Sequence, residues 1–226
     1  MGKYCEEKSV RFLGIWVDET MSFSCHITKL KSKLNSGIYA LSTSSNIVSL
    51  KVRKLIYRSL VESHLRFGAI VYGATNPGNL EQICVLQRKA IRKVARAKYN
   101  AHTDNLFKDY CFLKFEDIVH LSQTIFVRQF KNKMLPTSFL NFFQDLPLSE
   151  QIFRDHDYNL KVKKVNKNFL SFYPNVQMIQ AWNRNNILIK SEAETKDMKD
   201  YYTIHKINSY ESECVKDNCY VCNLPY

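Results

Sequence analysis

The sequence predicts a mainly α protein in which a short N-terminal β-hairpin leads into a helical bundle, followed by an irregular basic connection and a C-terminal tail. Three observations carry this prediction. Val10, Phe12, Ile15, Trp16 and Val17 are strand formers set about Gly14, which permits a bend or a close backbone approach inside the run. Further on, apolar residues recur at steps of three and four with basic residues on the opposite side, the period of amphipathic helices. At 226 residues and 45% hydrophobic, with 14 Phe and 13 Tyr, the chain can bury a core and does not have the composition of a disordered protein.

Taken in order, Asp18-Glu19 supplies the polar turn after the hairpin, and Ser22 or Ser24 can accept from free amides at a helix start. Ile27, Leu30, Leu34, Ile38 and Leu41 form the apolar stripe of that helix, while Lys29 and Lys33 project from its other side. Ser42-Thr43-Ser44-Ser45-Asn46 reads as a loop, and Ser49 as the cap of a second, widely apolar helix running to about Tyr72. The Asn-Pro and Pro-Gly steps in Gly73-Ala74-Thr75-Asn76-Pro77-Gly78 predict a turn. A third helix follows from about Leu80 to Ala97, its apolar stripe formed by Ile83, Leu86, Ala90, Val94 and Ala97. Thr103-Asp104-Asn105 caps a short helix. Phe115-Glu116-Asp117 opens another through about Phe130, with Ile118, Leu121, Ile125 and Phe126 facing a core, and Pro136 ends it. A short helix around Ser138 to Phe143 is expected to be core. Residues 150–176 are polar, basic and aperiodic and read as an extended connection, before a last helical stretch from about Met178 to Ile189 that contains Trp182. The spans are a hairpin over 1–20, a helical domain over 21–145, the connection and helical segment over 146–205, and a cysteine-containing tail over 206–226.

The net charge of +12 is unevenly placed: residues 1–98 hold 17 Lys and Arg against 6 Asp and Glu, the remaining 128 hold 16 against 15. A basic half beside a neutral half points to a polyanion-binding face, with nucleic acid the commonest polyanion for a soluble protein; the alternative is a solvated surface adjusted for solubility. On the third helix Arg88, Arg92 and Arg96, with Lys89 and Lys93 beside them, repeat every four residues opposite the apolar stripe. Like charges at that spacing repel, so phosphates of an RNA or DNA backbone, or acidic residues elsewhere in the fold, must favour them. The nucleic-acid-binding set is therefore Lys29, Lys33, Arg88, Lys89, Arg92, Lys93 and Arg96.

Cys214, Cys219 and Cys222 are spaced C-x4-C-x2-C, with His205 upstream. Zinc takes four thiolate or imidazole ligands, but the first spacing and the distant histidine make an imperfect set, and a reduced tail is the other reading. No cofactor is expected in this chain, zinc on these four residues being the alternative. The six histidines are dispersed, with His26 and His64 among apolar neighbours and read as structural, and no glycine-rich phosphate loop occurs. Seven cysteines, an odd number, fit reduced thiols. No signal peptide and no run near the roughly 20 apolar residues of a membrane span is seen, so the chain reads as intracellular, cytoplasmic and/or nuclear.

The ordered landmarks Leu13-Gly14, His26-Ile27, Tyr57, Phe67-Gly68-Ala69-Ile70-Val71-Tyr72-Gly73, Gln87-Arg88-Lys89-Ala90-Ile91-Arg92 and Trp182-Asn183 resemble the region after the polymerase palm in non-LTR retrotransposon reverse transcriptases of the jockey and CR1 type. Phe67 and Tyr72 stand where Tyr and Trp are usual. The resemblance implies a thumb-like helical region over 21–145 that binds template and primer for an upstream polymerase module. It also implies that this chain does not polymerise alone, because the paired aspartates that hold the polymerase metal ions are absent and the sequence has no Asp-Asp step. An independent basic helical nucleic-acid-binding or adaptor protein is the alternative.

Overall fold

The computed structural model describes residues 9–139, 174–191 and 194–210. These residues are mainly helical after a two-stranded antiparallel hairpin, the architecture the sequence predicts. Strand β1 (Ser9–Phe12) pairs with β2 (Ile15–Asp18) in the register Ser9↔Asp18 to Phe12↔Ile15. The two turn residues, Leu13 and Gly14, have φ of 45° and 88°. Positive φ at both central residues is the hairpin turn whose twist matches the strands. Gly14 is required twice over, since a Cβ there would also lie 3.2 Å from the Phe67 ring.

The described residues form two compact units, 9–68 with 75–115 and 210, and 69–74 with 116–139, 174–191 and 194–209. In the first, α1 (Ser24–Ser44) buries the expected stripe of Ile27, Leu30, Leu34, Ile38 and Leu41. Its start is not capped by a serine hydroxyl: the N-cap is Phe23, left-handed and buried. The Ser22 hydroxyl donates to Asp18 at 2.8 Å, pairs with the Ser24 hydroxyl at 3.0 Å and accepts a long 3.4 Å bond from the Ser24 amide.

Helix α2 (Leu50–Tyr57) continues through a π-helical turn, Arg58–Glu62, into α3 (Ser63–Arg66). Its buried positions, Arg53, Tyr57, Val61 and Leu65, recur every four residues. Four residues overshoot a 3.6-residue turn, and the wider π turn absorbs the overshoot so that all four face one side. Gly37 of α1 meets this rod at close range: a Cβ would lie 2.9 Å from the Leu60 carbonyl oxygen. The rod does not reach Tyr72 as the sequence suggested. Phe67 turns extended and Gly68 is left-handed, and the chain resumes as the short α4 (Ala69–Tyr72) of the second unit.

Helix α5 (Pro77–Ala95) begins three residues before the expected start. The Asn-Pro-Gly sequence that read as a turn is the helix opening: the Asn76 side chain accepts from the Gly78 amide at 2.8 Å and Pro77 occupies the first turn. The buried face of α5 is Ile83, Cys84, Gln87, Ala90, Ile91 and Val94. Gln87 is completely enclosed and fully used. Its amide nitrogen donates to the Tyr57 hydroxyl at 3.0 Å and to the Leu113 carbonyl at 2.9 Å, and its oxygen accepts from the Phe115 amide at 2.8 Å. Helix α6 (Asp104–Tyr110) completes this unit.

In the second unit, α7 (Phe115–Lys131) packs Val127 against Met178, Ile179 and Trp182 of α8 (Pro174–Arg184), with Ile70, Phe126 and Phe130 at the margin. Asn185 breaks the expected single helix before α9 (Ile187–Ser191), its amide donating to the buried Thr124 hydroxyl at 2.8 Å. A further helix, α10 (Thr195–Ser209), runs across residues that the sequence divided between connection and tail. Its Tyr202 hydroxyl lies 2.7 Å from His120 Nδ1. Most of 150–176, the Ser138–Phe143 helix beyond Phe139, and the cysteines of the tail lie outside the described residues. No helix among the described residues is long and apolar enough to cross a membrane.

Replacing Gln87 by Ala strands a hydroxyl, a carbonyl and an amide inside the first unit, each costing about 1 to 3 kcal/mol if left unsatisfied. A loss of about 3 kcal/mol or more is expected, measured as a lower urea midpoint, while Lys89→Ala on the exposed face shifts it by under about 0.5 kcal/mol. In the second unit burial, Lys206 and Arg184 push His120 down to about 4 against the opposing pull of Asp117. A depressed histidine stabilises the fold fully above its unfolded value near 6.5. That contribution, on the order of 2 to 3 kcal/mol, is lost as pH falls from about 6.5 towards 4. His120→Asn, which carries no titrating proton, should flatten that part of a stability-against-pH curve.

Candidate nucleic-acid interface

The column of three arginines expected on α5 does not form. The helix stops at Ala95, and Arg96 is its left-handed C-cap, φ 58°. Its Nε donates to the Ser45 carbonyl at 2.8 Å and its Nη2 to Ser45 and Val48. The guanidinium thus holds the Ser45 carbonyl at the C-terminal end of α1, where a cation also meets the negative end of the helix dipole, and the Val48 carbonyl in the loop that follows. Arg92 donates to the Ala101 carbonyl at 2.8 Å and is half-buried, so desolvation and the neighbouring Arg88 lower its pKa. Arg88 pairs with Glu81. Lys89 is exposed and Lys93 half-buried. The acidic partner weighed against phosphate in the sequence is found by Arg88 alone, while Arg92 and Arg96 bond backbone carbonyls.

The other predicted cations, Lys29 and Lys33 on α1, stand at a pocket of about 260 Å³ that the sequence did not reveal. The hairpin contributes Arg11, Gly14 and Trp16, α1 contributes His26, Lys29, Leu30 and Lys33, and the end of the α2–α3 rod contributes His64 and Phe67. Three cations and two aromatic rings line it, and none of its lining residues is acidic. The local reasons are visible in the sequence. Lys29 and Lys33 lie one turn apart on the polar face of α1, and Trp16 follows the Gly14 turn on a strand where alternate residues share a face. The Lys29 ammonium sits 4.0 Å from the Trp16 ring centroid, a cation–π contact that fixes the side chain at the pocket.

His26 is buried, and its Nδ1 accepts from the Trp16 amide at 3.5 Å, which places the proton of the neutral ring on Nε2. Burial first and Lys33 second lower the pKa of both His26 and His64. The pocket therefore carries its charge on Arg11, Lys29 and Lys33 near neutral pH, and its histidines are uncharged donors and acceptors. Both had been read as structural; their part in the pocket depends on contacts between residues far apart in the chain.

His205, the proposed histidine of a zinc site, is exposed on α10 and stacks on Tyr201 at 6.2 Å. Cys214, Cys219 and Cys222 lie outside the described residues. Among the described residues no three of His, Cys, Asp and Glu gather as metal ligands.

About half of this chain is similar to RNA-directed DNA polymerases of mobile elements. It is 28% identical over 113 residues to the RNA-directed DNA polymerase from mobile element jockey of Drosophila melanogaster, covering 49% of this chain and 12% of that protein. It is 22% identical over 107 residues to the probable RNA-directed DNA polymerase from transposon X-element of Drosophila melanogaster, covering 46% and 12%. The jockey polymerase of Drosophila funebris is 29% identical over 110 residues, covering 47% and 12%. No family model matches the chain, and no solved structure matches it. The chain is thus related to retrotransposon RNA-directed DNA polymerases of the kind its landmarks resemble, and it spans about 12% of the length of the curated relatives it matches.

The reassignment of Arg96 has a measurable consequence. Arg96→Ala removes bonds to two carbonyls, at the end of α1 and in the loop that follows, and is expected to destabilise the first unit by on the order of 1 kcal/mol, read as a lower urea midpoint. Arg96→Lys, which keeps the charge without the planar fork, should restore only part of it.

Proposed function

We propose that this chain is a non-catalytic, nucleic-acid-binding portion of an RNA-directed DNA polymerase from a non-LTR retrotransposon. In this reading it holds template and primer for a polymerase module that supplies the metal-binding carboxylates. The relation to the mobile-element polymerases supports the polymerase context. The observation that carries the binding role is the pocket of the first unit, where Arg11, Lys29 and Lys33 converge on two aromatic rings with no acidic lining residue. Converging cations without counter-charges repel one another, and a phosphate backbone offsets that repulsion as it releases its own counterions. On α5 the exposed Lys89, with Arg88 and Lys93, extends the basic surface, whereas Arg92 and Arg96 serve the fold.

The salt dependence of RNA and DNA binding tests this reading. Each neutralised phosphate contributes about 0.7 to 0.9 to the slope of log affinity against log salt. Substituting Arg11, Lys29 and Lys33 together by Ala should flatten the slope by about 2 to 3 with the helical circular dichroism retained. A folded triple variant with an unchanged slope would place the contact elsewhere and remove the support for this proposal.

A further inference from the structure

We infer that the pocket between the hairpin and helices α1 and α3 accepts one unpaired nucleotide of RNA or DNA, so that the first unit prefers single-stranded to duplex nucleic acid. The inference rests on the nucleic-acid-binding reading above and adds to it the form of the ligand. A surface that only tracked phosphates would need cations on an open face. Here the cations rim a concavity, and its wall is aromatic.

Phe67 is the distinguishing element. It is 56% exposed, although it is a large apolar side chain at a helix end. Its edge rests over Gly14, where the missing Cβ makes room for the ring atoms. That contact holds the ring in place at the pocket. A base has a π-face of matching size, and stacking on an aromatic ring is independent of sequence. The indole of Trp16 is held on one side by Lys29, 4.0 Å from its centroid, so a cation stands beside the aromatic wall. His26 stands in the wall as a neutral ring and adds no charge to the rim.

Volume limits the occupant. Small-molecule sites span about 300 to 1,000 Å³, and this pocket, at about 260 Å³, holds one nucleotide unit. A base inside a duplex presents its edges to the grooves and its faces to its neighbours, so it could occupy the pocket only after leaving the stack, at a cost of a few kcal/mol that a single strand does not incur.

The test compares single-stranded and duplex oligonucleotides of one length, together with adenosine 5′-monophosphate and inorganic phosphate. The full chain is used, with binding followed by Trp16 fluorescence and by titration calorimetry. The single strand should bind at least about tenfold more tightly than the duplex, and the nucleotide more tightly than phosphate. Phe67→Leu, which keeps an apolar cover over Gly14 but removes the ring face, should cost the single strand about fivefold or more with the salt slope unchanged. Phe67→Trp should restore the loss. Equal affinity for both strand forms, with Phe67→Leu indistinguishable from the parent, overturns this inference and leaves the basic-surface proposal standing. No binding to any polyanion overturns both. Tighter binding of phosphate than of the nucleotide marks the pocket as an anion site and overturns the nucleotide assignment alone.

Discussion

The buried amide of Gln87 is the interaction on which the first unit depends. A carboxamide in a closed interior must satisfy two donors and an acceptor, and Gln87 does so with Tyr57 from α2 and with the Leu113 carbonyl and Phe115 amide from the turn before α7. Two separate stretches of chain are therefore held to one side chain of α5, and the rotation of α5 about its axis is fixed. Everything the outer face of α5 presents follows from that rotation. Lys89 is turned to solvent and Arg92 to the Ala101 carbonyl. One turn nearer the start, Gln82 meets Lys31 of α1 at 2.6 Å. Shape alone would let the helix slide or rotate by a fraction of a turn at small cost; an unsatisfied amide would not.

Periodicity made much of this legible. The α1 stripe, the core face of α7 at Ile118 and Leu121, and the hairpin about Gly14 were all readable because each repeats at the period of its own element or sits at a turn. The arginine column failed on the same arithmetic. Four residues exceed one 3.6-residue turn, so Arg88 and Arg92 already diverge by roughly 40°, and the helix ends before Arg96, so three arginines that look aligned in sequence reach three different partners. The π turn at Arg58–Glu62 shows the opposite case, in which a four-residue repeat stays aligned because the helix itself widens. Asn76-Pro77-Gly78 was ambiguous for a different reason: a side chain that accepts an amide bond and a proline with fixed φ serve a turn and a helix opening equally well.

The pocket was not legible, since its lining comes from positions as far apart as Arg11 and Phe67. What joins them is the close crossing of α1 and the α2–α3 rod at Gly37, whose missing Cβ lets the Leu60 carbonyl approach. His26 and His64 then share one environment with Lys33, and burial keeps both from adding charge to a rim that already holds three cations. A phosphate entering there would reverse that balance, since a nearby anion favours the imidazolium.

Gly14, His26 and Phe67 belong both to the ordered landmarks read in the sequence and to the wall of one pocket. The contacts that hold the hairpin also shape that wall. The ring of Phe67 lies over Gly14 because the turn leaves space for it, and this contact ties the hairpin to the end of α3 while leaving the outer ring face in the pocket. His26 accepts the Trp16 amide and so ties the hairpin to α1 from within the same wall. A substitution that fills Gly14 would strain a backbone at φ 88° and displace the ring together. Stability of the hairpin and shape of the pocket are thus coupled through two contacts. The cations around the rim, Arg11 on β1 and Lys29 and Lys33 on the polar face of α1, can change without disturbing either.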